Sequence, residues 1–268
     1  MRGALSDRAV LFIDGDEARP FLQGLVTQDI THPDEAGAFF AALLTPQGKI
    51  LFDFFLVPHG AGFFIDCAAG AADALLKRLA LYKLRAKVSL SRRDDLAVAV
   101  GGFGETVAAY ADPRLGAMPA RAIIARSGDL ANADEAYDGL RIALGVPEFG
   151  KDFAGEEVFL LDVNYDALNA VSYRKGCFVG QEVTSRMKRK SDIRKRTLIA
   201  RFAGAAPAKG ESVIAGDGSI GEILSGGDGR ALALVRLDRL KAAESAGFAP
   251  VASGRALQIA FPAYLERG

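Results

Sequence analysis

The 268-residue chain has no tryptophan, only two cysteines and two histidines, and no net charge, its 33 basic residues being matched by 33 acidic ones. Each scarcity excludes a class of chemistry. Cys67 and Cys177 stand far apart and belong to no CxxC pair, which rules out a disulfide framework and points to a reducing compartment. An iron–sulfur cluster held by one chain usually takes four thiolates, or thiolates with histidines. With only His32 and His59 to add, this chain cannot hold a cluster by itself, and no HExxH or paired-histidine zinc signature is present. Zero net charge supplies no global field to recruit nucleic acid or a membrane, so anion recognition must come from local clusters. Met1–Asp7 lacks the apolar core of a signal peptide, and no apolar run approaches the ~20 residues that span a bilayer. A soluble, cytoplasmic protein is expected.

What is present is ordinary for a folded chain: 50% hydrophobic and 25% charged residues, over a length that suits two or three packed modules. Val10–Ile13 reads as a strand, followed by a helix started at Gly15-Asp16 with Asp16 as N-cap and Phe21, Leu22, Leu25 and Val26 as its apolar face. Ala38–Leu44 and Ile50–Val57 form a hairpin around the turn residues Thr45-Pro46-Gln47-Gly48-Lys49. Phe63–Cys67 is a further strand. Leu75, Leu76, Leu79, Ala80 and Leu84 recur at helical spacing toward a basic end at Lys87. Strands are expected at Val88–Ser91, Leu96–Val100 and Ala122–Ala125, and a helix over Glu135–Leu144 stopped by Gly145 and Pro147. The irregular alternation favours α+β with antiparallel sheets over a doubly wound fold. After Arg196 the texture changes to five short β-type runs between Gly-rich turns, the pattern of a small barrel or sandwich. The expected boundary divides 1–195 from 196–268.

The most unusual stretch is Ser172-Tyr173-Arg174-Lys175-Gly176-Cys177-Phe178-Val179-Gly180-Gln181-Glu182-Val183. A helix starting near Phe178 would set Cys177 at its N-terminus, where free N–H groups and Lys175 favour a thiolate. Gly176 would let a ligand approach the main chain. The competing reading is a buried small residue in a strand-to-helix turn, and composition alone does not separate the two.

Downstream, Arg186, Lys188, Arg189, Lys190, Arg194, Lys195 and Arg196 are opposed only by Asp192. Absence of interleaved aromatics argues against nucleic acid; a solvated helix end, or a site for a multiply anionic small molecule, remains. Asp53 in Leu51-Phe52-Asp53-Phe54-Phe55 and Asp162 in Phe159-Leu160-Leu161-Asp162-Val163-Asn164 are carboxylates inside apolar runs. Each either turns to a polar face, the cheaper explanation, or grips the amidine-like N–H edge of a pterin-type ring. Cys67, among Phe63, Phe64 and Ile65, reads as core, while His32 and His59 read as loop residues.

The octapeptide Lys175–Glu182 resembles the K-G-C-[FY]-x-G-Q-E signature of the YgfZ-type folate-binding proteins, relatives of the glycine-cleavage T-protein. Phe21–Asp29, Leu44–Asp53, Tyr82–Val88 and Leu161–Asn164 resemble other segments of that group. The resemblance implies a T-protein-like fold with a ferredoxin-like subdomain and a small C-terminal β-barrel. It implies tetrahydrofolate, or a derivative of it, as ligand, and iron–sulfur assembly proteins or client enzymes as partners. The role implied is an accessory factor in cluster assembly or repair under oxidative stress, with Cys177, Lys175 and Asp53 as active residues. Asp162, Gly176, Gln181, Glu182 and Arg186 would bind the folate, and no metal site is implied. The alternative is a folate-dependent one-carbon transferase; against it, the T-protein's paired aspartate is here Phe52-Asp53.

Overall fold

The computed structural model describes residues 1–31, 37–127, 130–189 and 193–265. The chain forms two compact units, Met1–Tyr137 with Leu168–Gln181, and Asp138–Ala167 with Glu182–Gly268. This partition differs from a single break at residue 195: packing returns 168–181 to the first unit and assigns 138–167 to the second, which sequence texture does not reveal.

In the first unit, β1 (Gly3–Leu5) and β2 (Arg8–Asp14) precede α1 (Ala18–Gln23), β3 (Phe39–Leu44), β4 (Ile50–His59) and β5 (Gly62–Ala68). Next come α2 (Ala72–Lys83), β6 (Ser89–Arg92), β7 (Leu96–Val100), β8 (Ala108–Tyr110) and β9 (Arg121–Ala125), while α3 (Asp134–Leu144) starts in this unit and has its residues from Asp138 onward in the second. One antiparallel sheet has the order β3-β4-β5-β2-β6, and a second has β1-β7-β9-β8. With α1 after β2 and α2 before β6, the five-stranded sheet is a split β-α-β arrangement carrying one extra strand, the ferredoxin-like subdomain expected.

Strand alternation gives this sheet two different faces. Leu11, Ile13, Phe39, Ala41, Leu43, Phe54, Leu56, Phe63, Ile65 and Cys67 form a core with Ala18 and Leu22 of α1 and Leu75 and Leu79 of α2. Residues one position along, among them Phe40, Asp53, Phe55 and Asp66, face the other way. The β3–β4 hairpin closes as its turn residues dictate: Thr45 N–H donates to Lys49 O at 2.8 Å and Gly48 N–H to Thr45 O at 2.9 Å, with Gly48 at φ 81°.

Three helix boundaries are corrected. α1 begins at Ala18 with Glu17 before it and no side-chain cap, so Asp16 is not the N-cap. α2 ends at Lys83, because Leu84 adopts φ 44° and cannot continue a helix. The helix placed near Phe178 is α4, Gln181–Arg189.

The second unit holds α4, β10 (Lys195–Arg201), β11 (Ser212–Ala215), β12 (Gly218–Gly227), β13 (Arg230–Arg236), α5 (Leu237–Ser245), β14 (Val251–Ala252), β15 (Arg255–Ala256) and β16 (Gln258–Ala260). Its strands follow the order β15-β14-β11-β12-β13-β10-β16 and curl into a nearly closed barrel. Leu198, Ala200, Val213, Ile223, Ala231, Ala233 and Val235 fill it, with Leu240 and Ala243 of α5 packed against them. The β-type texture after Arg196 concealed α5. No helix among the described residues is long and apolar enough to cross a membrane.

Candidate functional site

Three sequence-distant segments of the first unit meet around residues 172–181. Lys175 is buried, and its ammonium donates to the carbonyls of Gln23 (2.8 Å), Val26 (2.6 Å) and Gln28 (3.0 Å). Those three bonds use all the donors an ammonium has. Burial pushes the Lys175 pKa down to about 8, against the pull of Asp29. Thr27 ties the same segments together: its hydroxyl donates to Ala170 O (2.6 Å) and accepts from Ala42 N–H (2.9 Å), and its carbonyl accepts from Ser172 N–H (3.1 Å). Gln28 Nε2 donates to Asn169 O at 2.7 Å.

The far end of the segment is held by Gly180. Its φ is 81°, and a Cβ there would lie 2.7 Å from Thr45 O and 3.1 Å from Gly48 Cα. Only glycine lets this turn rest on the β3–β4 turn. Phe178 is buried between the two anchors, with Lys175 Nζ 5.4 Å from its ring centroid. Cys177 and Gly176 are left exposed. The loop is thus fastened on both sides and presents one thiol to solvent.

This geometry corrects parts of the expectation. Cys177 precedes α4 by four positions and is not at its mouth, so the dipole argument for its thiol lapses. Lys175 serves main-chain carbonyls and is an anchor for the loop. A methyl group at Gly176 would meet nothing within 4 Å, so no close approach requires glycine there. Gln181 caps back onto the loop, Nε2 donating to Gly176 O at 3.3 Å. Glu182 and Arg186 are exposed one turn apart on α4. Asp162 belongs to the second unit; its carboxylate accepts from Phe159 N–H at 3.0 Å and its carbonyl from the Thr197 hydroxyl at 3.0 Å. The cation run is divided: Arg196 is buried against Asp166 (2.9 Å) and Leu161 O (2.9 Å), whereas Lys195 opens β10; Lys190 and Asp192 lie outside the described residues, as does His32. His59 ends β4, its ring 4.6 Å from that of Phe64, and is not a loop residue.

Asp53 is 2% exposed and occupies the sheet face opposite the helices, as does Phe55. Phe52 points the other way and packs against the helix-side core. On the Asp53 face lies a polar network that the sequence reading missed. Asp66, fully buried, accepts from Arg8 Nε (2.7 Å), Arg121 Nη2 (2.6 Å) and the Tyr110 hydroxyl (2.8 Å). Arg121 and Arg114 both donate to the Tyr137 hydroxyl, at 2.8 and 2.6 Å, and Arg114 pairs with Asp112 at 2.7 Å. The ring of Phe55 lies 4.4 Å from the Arg121 guanidinium carbon and 4.8 Å from that of Arg114. Burial would push the Asp66 carboxyl up, but Arg121 and Arg8 outweigh it and hold the carboxyl below its usual range. Asp66 stood inside Phe63–Cys67, the same pattern that singled out Asp53; its arginine partners come from distant strands and left no local signal.

Cys67 is core, and burial pushes its thiol up to about 12. Among the described residues no three His, Cys, Asp or Glu side chains are grouped to hold a metal ion.

The fold these elements make is that of an aminomethyltransferase. The crystal structure of glycine cleavage system aminomethyltransferase T from Bartonella henselae superposes with a TM-score of 0.70 over 98% of this chain and 85% of that one, at 15% identity. Residues 194–265 match the family model for the CAF17 C-terminal β-barrel domain. The human mitochondrial iron–sulfur cluster assembly factor IBA57 is 31% identical over 280 residues, covering 88% of this chain and 78% of the human protein. IBA57 homologues of Neurospora crassa and Pyricularia oryzae are 31% and 32% identical over 76% and 73% of this chain. The chain spans about half the length of these fungal relatives, 54% and 56%. This chain belongs to the IBA57 family, to which the YgfZ-type proteins are related. The relatives are mitochondrial by name, which overturns the cytoplasmic expectation and points to the mitochondrion.

Proposed function

We propose that this protein is an iron–sulfur cluster assembly factor that offers Cys177 to a partner carrying or receiving the cluster. The observation that carries the reading is the placement of Cys177: exposed, between a buried Lys175 and a turn-locked Gly180, in a chain of the IBA57 family. One thiol supplies one ligand, and a cluster usually takes four. The remaining ligands therefore come from assembly proteins or client enzymes, and the cluster is cargo. The anchored loop lowers the entropy cost of presenting the thiol in a fixed place. Deleting the gene, or replacing Cys177 with Ser, should lower the activity of cluster-dependent enzymes, most under oxidative stress. Normal cluster enzymes in a Cys177→Ser strain, with the variant present at wild-type level, would sink the proposal.

Tetrahydrofolate or a derivative is the ligand proposed beside this role. Support comes from the motif resemblance and from Asp53, a buried carboxylate set among aromatic and polar groups on one sheet face. Calorimetric titration with tetrahydrofolate, comparing wild type with Asp53→Asn and Asp162→Asn, tests it. Turnover of an amine or methyl donor in the same mixture would favour one-carbon transfer instead, with Asp53 as the proton acceptor.

A further inference from the structure

We propose that the outer face of the barrel binds the phosphate group of a small phosphate ester, through Lys195, Arg236 and Arg239. Lys195 and Arg236 are direct partners in the β10–β13 ladder. Residues directly opposite in an antiparallel pair share a face with Cβ atoms about 5 Å apart, and like charges placed so destabilise the sheet. Leu198 and Ala200 of β10 and Val235 of β13 point into the barrel core, so Lys195 and Arg236 are on its outside.

A hollow of about 240 Å³ opens beside this pair, and Arg239 of α5 lines it too. The donors are available. The Lys195 ammonium has no partner among the described residues. Arg236 directs Nε and Nη2 at Asp238, leaving Nη1, and Arg239 directs Nη1 at Ser219 O, leaving Nε and Nη2. Ser212 adds a hydroxyl to the lining, while the Ser219 hydroxyl donates to Gly221 O at 3.2 Å and can only accept from a ligand. Against three cations stand two carboxylates, Asp238 beside Arg236 and Glu222 on the wall of the hollow. An oxyanion placed among Lys195, Arg236 and Arg239 removes the like-charge conflict and meets guanidinium and ammonium donors. Glu222 can only accept, so the ligand it suits also carries a hydroxyl: a phosphate ester of a polyol or a nucleotide, rather than bare phosphate. This site accounts for part of the cation run ending at Arg196, joining Lys195 to arginines some forty positions later that no motif connects to it.

The test is calorimetric titration of the full chain at constant ionic strength, with chloride as the compensating anion. Inorganic pyrophosphate should bind saturably, and Lys195→Gln and Arg239→Gln should each weaken it by about fivefold or more. Lys241→Gln, on α5 outside the hollow, should leave it unchanged. A nucleoside diphosphate should bind more tightly than pyrophosphate, and Glu222→Gln should abolish that preference. Because Lys195→Gln removes a repulsion, its Tm should be no lower than that of wild type, which separates lost binding from misfolding. No saturable binding, or equal affinity in wild type and the Lys195→Gln/Arg239→Gln pair, overturns the site. An oligonucleotide that binds more tightly, with affinity falling steeply with salt, overturns the small-molecule assignment. None of these outcomes touches the role of Cys177, so the two proposals fail separately.

Discussion

Lys175 donates to the carbonyl of Val26 at 2.6 Å, joining positions 149 apart in the chain. With the bonds to Gln23 and Gln28, it makes the loop that bears Cys177 an integral part of the α1–β3 connection. The consequences are open to measurement.

Lys175→Met should lower stability at neutral pH by about 2 kcal/mol, since three buried carbonyls lose their donor while the cost of a buried charge is relieved. The pH dependence has a defined sign. The folded pKa of about 8 lies below the ordinary 10.5, so between these values the unfolded chain binds more protons. Stability must then rise with pH through that window, and the penalty for the buried charge is fully present below it. Urea unfolding of wild type should gain about 1–2 kcal/mol relative to Lys175→Met between about pH 7 and about pH 10. A flat difference would show that Lys175 is not held charged in a desolvated place.

The two cysteines should separate cleanly under alkylation. Cys177 is exposed, whereas Cys67 is buried with its thiol pushed up to about 12. Iodoacetamide should modify the native protein once, at Cys177, with Cys67 slower by on the order of 100-fold or more until denaturant is added. Mass spectrometry of the labelled peptides reads this directly.

Glycines 176 and 180 should respond in opposite ways. At Gly180 the left-handed φ and the 2.7 Å approach to Thr45 O make Gly180→Ala costly, about 1–3 kcal/mol. Gly176→Ala meets nothing within 4 Å and should change stability by no more than about 0.5 kcal/mol. In cells, Gly180→Ala should reproduce part of the Cys177→Ser phenotype, because the thiol is no longer presented in its fixed position.

Asp66→Asn removes the carboxylate shared by Arg8 and Arg121 inside the first unit. Leaving buried guanidinium groups without that partner should cost about 3–5 kcal/mol, visible as a fall in chemical-denaturation midpoint. Asp73→Asn, at an exposed pair with Arg92, should cost well under about 1 kcal/mol.

The elements that a local pattern can encode were legible: the β3–β4 hairpin from Thr45–Lys49, the core position of Cys67, the barrel texture from β10 onward. Boundaries were less so. α2 stops at Lys83 since Leu84 turns to positive φ, and α5 lay between two β-type runs, in a stretch to which the sequence reading assigns no element. The octapeptide from Lys175 to Glu182 marked the loop but misassigned its parts. The sequence placed Lys175 beside Cys177 as an activating charge, yet its long side chain crosses to the Gln23–Gln28 segment and is fully engaged there.

By itself, then, the order of residues determined the antiparallel α+β class, the two-faced strands and the one cysteine worth testing, because each depends on neighbours within a few positions. Tertiary structure alone decided that Asp66 gathers Arg8, Arg121 and Tyr110, that Gly180 rests on the hairpin turn, and that Lys195 stands opposite Arg236. Those pairings join strands and loops from distant parts of the chain. Hydrogen bonds and charges act over a few ångströms of space, and separation along the chain carries no record of which groups will be brought that close.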